Sequence, residues 1–164
     1  MSNPETRLLR FREGPDGYEW EGVEREAYKS GQAAGREWRD IVRHVLVGKH
    51  AEGTRFHVRY FELSPGGYSS LEKHGHAHVV IVVRGRGRAV LGATVQDMRP
   101  LDTVYVAPWT PHQFLALGDE PCGFLCIVDA ERDRPQPVSS QEHTRAGAVG
   151  ASSPALWTTW PESE

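Results

Sequence analysis

The stretch GGYSSLEKHGHAHVVIVVRG, residues 66–85, packs one glutamate and three histidines into seven consecutive positions, and a further histidine follows in APWTPHQF. On a straight strand alternate side chains lie ~6.8 Å apart, so Glu72 and His78 would sit about 20 Å from each other. No ion with ligand bonds of ~2 Å reaches both. Glu72 and His74 share a face and can lean together, but His78 joins them only if the chain reverses at Gly75-His76-Ala77. Glycine takes positive φ without strain and neither neighbour is β-branched, so a tight turn costs little there. The reading is one mononuclear site built from Glu72, His74, His78 and His112, with His76 near the turn tip and outside the ligand set. The bland alternative is a packed or solvated histidine ladder without metal. It ranks lower, because three histidines and a carboxylate rarely cluster by accident.

Short β-like runs recur along the middle of the chain, at 57–63, 69–74, 78–83, 88–91, 94–98, 103–106, 112–117 and 123–129. Ser64-Pro65-Gly66-Gly67, Arg99-Pro100, Trp109-Thr110-Pro111 and Gly118-Asp119-Glu120-Pro121 punctuate them as turns, the pattern of a small all-β sandwich or barrel. Arg84-Gly85-Arg86-Gly87-Arg88 reads as a hairpin connection with solvated arginines rather than an RNA-binding run. Residues 54–130 are thus the barrel. Residues 1–53 form a polar arm with too little apolar content to fold alone, carrying a strand at 40–47 that stops at Gly48. Its Trp20, Tyr28 and Trp38 are expected to dock on the barrel. Residues 131–164 are polar and rich in small side chains, so an extended or flexible tail is expected. LWTTW at 156–160 stands out there, suited to docking on the barrel or to contact with another chain.

Residues 66–114 resemble the paired motifs of the cupin superfamily, small metal-binding jelly-roll barrels of which many are dioxygenases. The family's first motif falls without a gap on Gly66, Glu72, His74, His78 and Gly85, with its first histidine replaced by Glu72 and its glutamate by His78. Both replacements are competent ligands for a first-row transition metal. The second motif lands on Leu101, Ala107, Trp109, His112 and Ala116, where only the histidine survives and the family's glycines have become Leu101 and Trp109. The resemblance implies an all-β, cupin-like double-stranded β-helix.

Composition places the chain among compact globular domains: 164 residues, 38% hydrophobic and 25% charged. A formal charge of −3 and a pI near 6.2 supply no basic field for nucleic acid. Cys122 and Cys126 lie ~13 Å apart on one strand face, beyond disulfide reach, and read as packed thiols. MSNPETRLLRFREG lacks the apolar core of a signal peptide and no apolar run approaches a membrane span, so a cytoplasmic protein is expected.

Three neutral imidazoles and a carboxylate would leave a divalent ion with a net charge near +1 and open positions for water, oxygen or a chelating substrate. Fe, Mn, Ni, Co, Zn and Cu all suit such donors. Glu72 is then either a fixed ligand or a general base beside the metal. Strand alternation puts Phe114 and Ala116 on the inner face with His112, so Phe114 is a candidate wall of the substrate pocket. Two functions fit. One is a metal-dependent dioxygenase or related oxidoreductase acting on a small chelating molecule such as an enediol, phenol or diketone. The other is a non-catalytic cupin that binds a small ligand or keeps the barrel as a scaffold. Finally, HVVIVV is apolar on both strand faces, which calls for cover on the outer face and points to a homodimer.

Overall fold

Gly85 sits with φ +60, and a side chain there would drive its Cβ to within 2.0 Å of the Pro121 carbonyl oxygen. It is the corner at which the chain leaves one half of a curled antiparallel sheet for the other. In the computed structural model, which describes residues 5–29 and 37–148, the first half runs β10 (Thr103–Val106), β7 (His78–Arg84), β12 (Cys122–Asp129), β5 (Phe56–Tyr68), β4 (Arg39–Val47) and β3 (Arg25–Ala27). The second half runs β9 (Thr94–Met98), β8 (Arg86–Leu91), β11 (His112–Leu117), β6 (Glu72–Lys73) and β13 (Gln136–Pro137). Strand β7 pairs with β10 and β12, whereas β8 pairs with β9 and β11. Arg84-Gly85-Arg86 is therefore a corner between the halves and not the hairpin expected from its glycines. Arg86 is exposed as expected, whereas Arg84 meets Glu62 at 2.9 Å and the buried Arg88 meets Asp97 at 2.5 Å.

Strand β5 joins the halves. Its first stretch pairs with β12 and β4, and its last residue, Tyr68, lies opposite Leu115 of β11. The expected turn at Ser64-Pro65-Gly66-Gly67 is instead an exposed bend inside this strand, with Gly66 at φ +75 and a register shift in its pairing to β4. An exposed bulge tolerates a proline that has no N–H to donate, so the strand continues around the corner.

The curl brings Leu63, Val80, Val82, Met98, Phe114 and Phe124 into one core. Each such side chain contributes roughly 1.5–3 kcal/mol by leaving water. Phe114 and Ala116 face this core, while Leu115 turns to a second cluster with Leu71, Val90 and Ala146, as period-two alternation requires. Ala146 belongs to α1 (Ser140–Ala148), a helix the polar tail was not expected to contain. A capping box starts it: the Ser139 hydroxyl accepts from the Glu142 N–H at 3.2 Å, and the Glu142 carboxylate accepts from the Ser139 N–H at 2.7 Å. LWTTW lies outside the described residues.

The arm adds strands rather than lying loosely on the barrel. β4 pairs along β5, and β1 (Phe11–Gly14) with β2 (Gly17–Trp20) forms a hairpin whose Trp20 packs edge-on against Tyr60 at 4.9 Å. Tyr28 meets Trp38 and Phe61 on the other side. Val79, Ile81 and Val83 remain half-buried, and neighbouring Tyr105 and Ile127 are 64% and 36% exposed. Both cysteines are buried and free. No helix among the described residues is long and apolar enough to cross a membrane.

Two glycines at nearly the same backbone angle separate strain from crowding. A methyl group added at Gly92, which has φ +61, would find nothing within 4 Å, unlike one added at Gly85. Alanine at Gly92 should cost only the ~1–2 kcal/mol of left-handed backbone, and alanine at Gly85 about 1–3 kcal/mol more from the clash with backbone. Urea unfolding of the two variants checks this, and equal losses would show that Gly85 is not a packed corner.

Candidate metal centre

The bend at Gly75-His76 carries the chain from β6, in one half of the sheet, to β7, in the other. Contrary to expectation, Gly75 does not use a positive φ here. Its role is space, since a Cβ would come within 3.0 Å of the Trp109 ring. Asp133 clamps the bend, accepting from the Gly75 N–H at 2.7 Å and the His76 N–H at 3.0 Å, and meeting the His76 ring at 2.7 Å. These bonds hold the Asp133 carboxyl well below the ordinary range, the Gly75 N–H first and the His76 ring next. Opposite, the Trp109 N–H donates to the His74 carbonyl at 2.7 Å. Leu101 and Trp109, which stand where the family has glycine, keep the left-handed backbone with φ of 76 and 63. The turn that delivers His112 therefore survives the loss of its glycines.

The result is a trio. The ligand-capable nitrogens of His74, His78 and His112, all buried, lie within 4.8 Å of one another. Nitrogens bonded at ~2.1 Å to one tetrahedral or octahedral ion lie ~3.0–3.4 Å from each other, so small shifts of the rings let the three share an ion. In His74, Nδ1 faces the His76 carbonyl at 2.8 Å, and in His112 it faces the Thr110 carbonyl at 2.8 Å. In His78, Nδ1 meets the Cys126 sulfur at 3.4 Å. A neutral imidazole that donates Nδ1–H to a carbonyl presents its Nε2 lone pair, which is how outer partners orient metal ligands. The His78 Nε2 is buried with no hydrogen-bond partner. A buried lone pair left over beside two others is what a transition metal would satisfy.

Electrostatics favour the neutral, ligating form. Burial pushes His78 down to about 2, with His112 and His74 adding to the effect. Burial likewise lowers His112 to about 4, and His74 is lowered by burial and by His76.

Glu72 stands apart from the trio. Its backbone lies directly opposite His112, so the register puts it in reach, but its carboxylate accepts from Lys29 and, at 2.8 Å, from the Ser70 hydroxyl. His76 stacks flat on His74 with ring centroids 3.7 Å apart and is held by Asp133 instead of joining the three. All five side chains border one cavity of about 260 Å³. Phe61, Phe114 and Phe124 form its apolar wall, with the Phe114 ring 6.1 Å from His112 and 6.5 Å from His78. Lys29 and Asp133 were not foreseen as site residues, because one comes from the arm and the other from the tail. Only their nearness in space to Glu72 and His76, invisible in the chain, makes them part of the site.

Elemental analysis of protein purified without a histidine tag should find the metal lost in His74→Ala, His78→Ala and His112→Ala. Glu72→Gln and His76→Ala should keep it; loss in His76→Ala with retention in His78→Ala would overturn this assignment. A pH series gives a second check. The unfolded chain takes up protons near 6.5 that folded His78 and His112 refuse. Metal-free protein should therefore lose stability as pH falls below about 6.5, by up to ~1.4 kcal/mol per pH unit for each such histidine. The dependence should vanish above pH 7.5 and be shallower in His112→Gln; an unchanged slope in that variant would show that His112 protonates freely.

Comparison with known proteins agrees with this geometry. The cupin domain family matches residues 59–128. A 1-methylthio-D-xylulose 5-phosphate methylsulfurylase from Rhodospirillum rubrum is 45% identical over 126 residues, covering 77% of this chain and 78% of the relative. The crystal structure of a cupin-2 domain protein from Rhodospirillum rubrum superposes with a TM-score of 0.73 at 42% identity, over 86% of this chain and 92% of that one. A cupin 2 conserved barrel protein from Rhodopseudomonas palustris gives 0.72 at 37% identity, over 84% and 90%. With a jelly-roll barrel around three converging histidines and relatives of this kind, the chain belongs to the cupin superfamily.

Proposed function

We propose that this chain is a metal-dependent enzyme acting on a small, oxygen-chelating ketose derivative of the kind named for its Rhodospirillum rubrum relative. The observation that carries the reading is the trio of neutral histidines opening onto a cavity bordered by three phenylalanines and by the cationic side chains of Lys29 and Arg59. Three protein ligands leave positions for a substrate, the mark of a catalytic rather than a structural site. A divalent ion bound there supplies Lewis-acid polarisation of a substrate carbonyl and, without a ligating carboxylate, keeps its full charge for that task. Glu72 borders the same cavity and is the residue we assign as proton acceptor, its carboxylate held by Lys29 and Ser70. Phe114, with Phe61 and Phe124, excludes water from the reacting end of the substrate.

A second reading, the dioxygenase chemistry common among cupins, is favoured by that same phenylalanine wall, which suits a flat chelating substrate. The two part company in one assay. Metal-loaded protein should release methanethiol from 1-methylthio-D-xylulose 5-phosphate without consuming oxygen. In this elimination Glu72 takes the C3 proton, the C1–S bond breaks with its electron pair on sulfur, the thiolate leaves with a proton and a 1-deoxy-2,3-diketone remains. Glu72→Gln should lower turnover by about 10²–10⁴-fold while retaining metal. Oxygen uptake with enediols or diketones would favour the dioxygenase. Neither activity, with metal bound, would leave a ligand-binding cupin. We also assign the half-buried row Val79, Ile81 and Val83, with exposed Tyr105 and Ile127, to a homodimer contact. Sedimentation at micromolar concentration should give a dimer; a monomer would mean that the β1–β2 hairpin suffices as cover.

A further inference from the structure

Strand alternation points Arg59 into the barrel, on the same face of β5 as Phe61 and Leu63. A guanidinium on the inner face of a barrel strand needs a reason, because a buried charge without a partner is strongly destabilising. The cations around this cavity differ in how they are neutralised. Lys29 is paired with Glu72, and Arg43 donates to Glu26 at 2.8 and 3.2 Å. Arg59 makes no ion pair with a carboxylate among the described residues. Its Nη2 meets the Cys126 sulfur at 3.2 Å, its head lies 5.1 Å over the Phe61 ring, and its Nε is buried with no hydrogen-bond partner. Arg132, exposed on the same cavity, has carbonyl partners at Asp129 and Ala130 but likewise no carboxylate among the described residues. The two guanidiniums are near enough that the charge of Arg59 adds to the effect of burial in lowering Arg132.

We propose that Arg59 and Arg132 are the anion-binding side of the cavity and hold the phosphate monoester of the substrate, next to His78, which shares the Cys126 sulfur with Arg59. Two guanidiniums without a carboxylate partner among the described residues supply planar, multi-donor recognition of a phosphate. Arg59 is thus a binding residue, and Arg132 guards the opening. This assignment rests on the reading of the cavity as a substrate site and adds the class of its charged group.

The test is calorimetric titration of the metal-loaded full chain with inorganic phosphate and with glycerol phosphate, at fixed ionic strength in chloride. Arg59→Met, which keeps the aliphatic stem, should weaken both by at least about tenfold, and Arg132→Met should weaken them less. Arg59→Lys should recover part of the loss, which guards against a folding defect in Arg59→Met. Arg43→Met, whose guanidinium is already paired, should change the affinity by less than about threefold. Affinity unchanged in Arg59→Met, or lowered equally in Arg43→Met, would overturn the assignment. Repeating the titration on chelator-treated protein separates this claim from the metal reading. Arg59-dependent phosphate binding in a chain that never takes up metal would uphold the anion site and sink the metal-dependent reaction. Metal bound at the histidines, with phosphate binding indifferent to Arg59, would do the reverse.

Discussion

Three hydrogen bonds at Nδ1 decide what this barrel can do. Each of His74, His78 and His112 commits its Nδ1 to a carbonyl or a sulfur, and the ligand-capable nitrogens of the three lie within 4.8 Å of one another. Burial then keeps the rings uncharged. A protonated imidazole cannot ligate and a freely rotating one would find other partners, so orientation and neutrality together make a ligand set from three ordinary side chains. The supports come from places far apart in the chain. The carbonyls belong to the bend at His76 and the turn at Thr110, the sulfur to β12. Loss of either turn would misdirect a ring while leaving the strands intact.

The rest of the cavity is organised around that trio by charge. The Glu72 carboxylate accepts from Lys29 and Ser70 and borders the same space as the trio. Asp133 performs the corresponding service for His76, so that a histidine two positions from each of two ligands stays out of the set. The arm and the tail thus supply the residues that distinguish this site from a bare three-histidine barrel, although the barrel strands and their turns supply every member of the trio.

Much of this was legible in the chain. Strands β7, β9, β10 and β11 begin and end within a residue of the β-like runs read from side-chain pattern and turn residues, because strands that line a core must be apolar where they face it. The convergence of His74, His78 and His112 followed from ligand reach and one bend. Two of the misses share a cause. Pro65-Gly66 reads as a turn locally, but its place in a bulge of β5 depends on two partner strands. The glycines around Arg86 read as a hairpin, yet β8 pairs with β11 in the other half of the sheet from β7. The Pro15-Asp16-Gly17 turn of the first hairpin and the Ser139–Glu142 capping box were local signals that did stand in the sequence, hidden by the polar composition around them. Glu72 has the chemistry and spacing of a ligand, and its contacts with Lys29 and Ser70 could not be read from the chain because Lys29 lies far off in the arm.

The most direct measurement is anomalous X-ray diffraction from crystals of metal-loaded protein, with data on both sides of the metal's absorption edge. A single anomalous peak is expected about 2.1 Å from the Nε2 atoms of His74, His78 and His112, with the Glu72 carboxylate remaining on Lys29. A peak bonded to His76 or Cys126 in place of one of the three, or no peak at the trio in metal-loaded crystals, would contradict it.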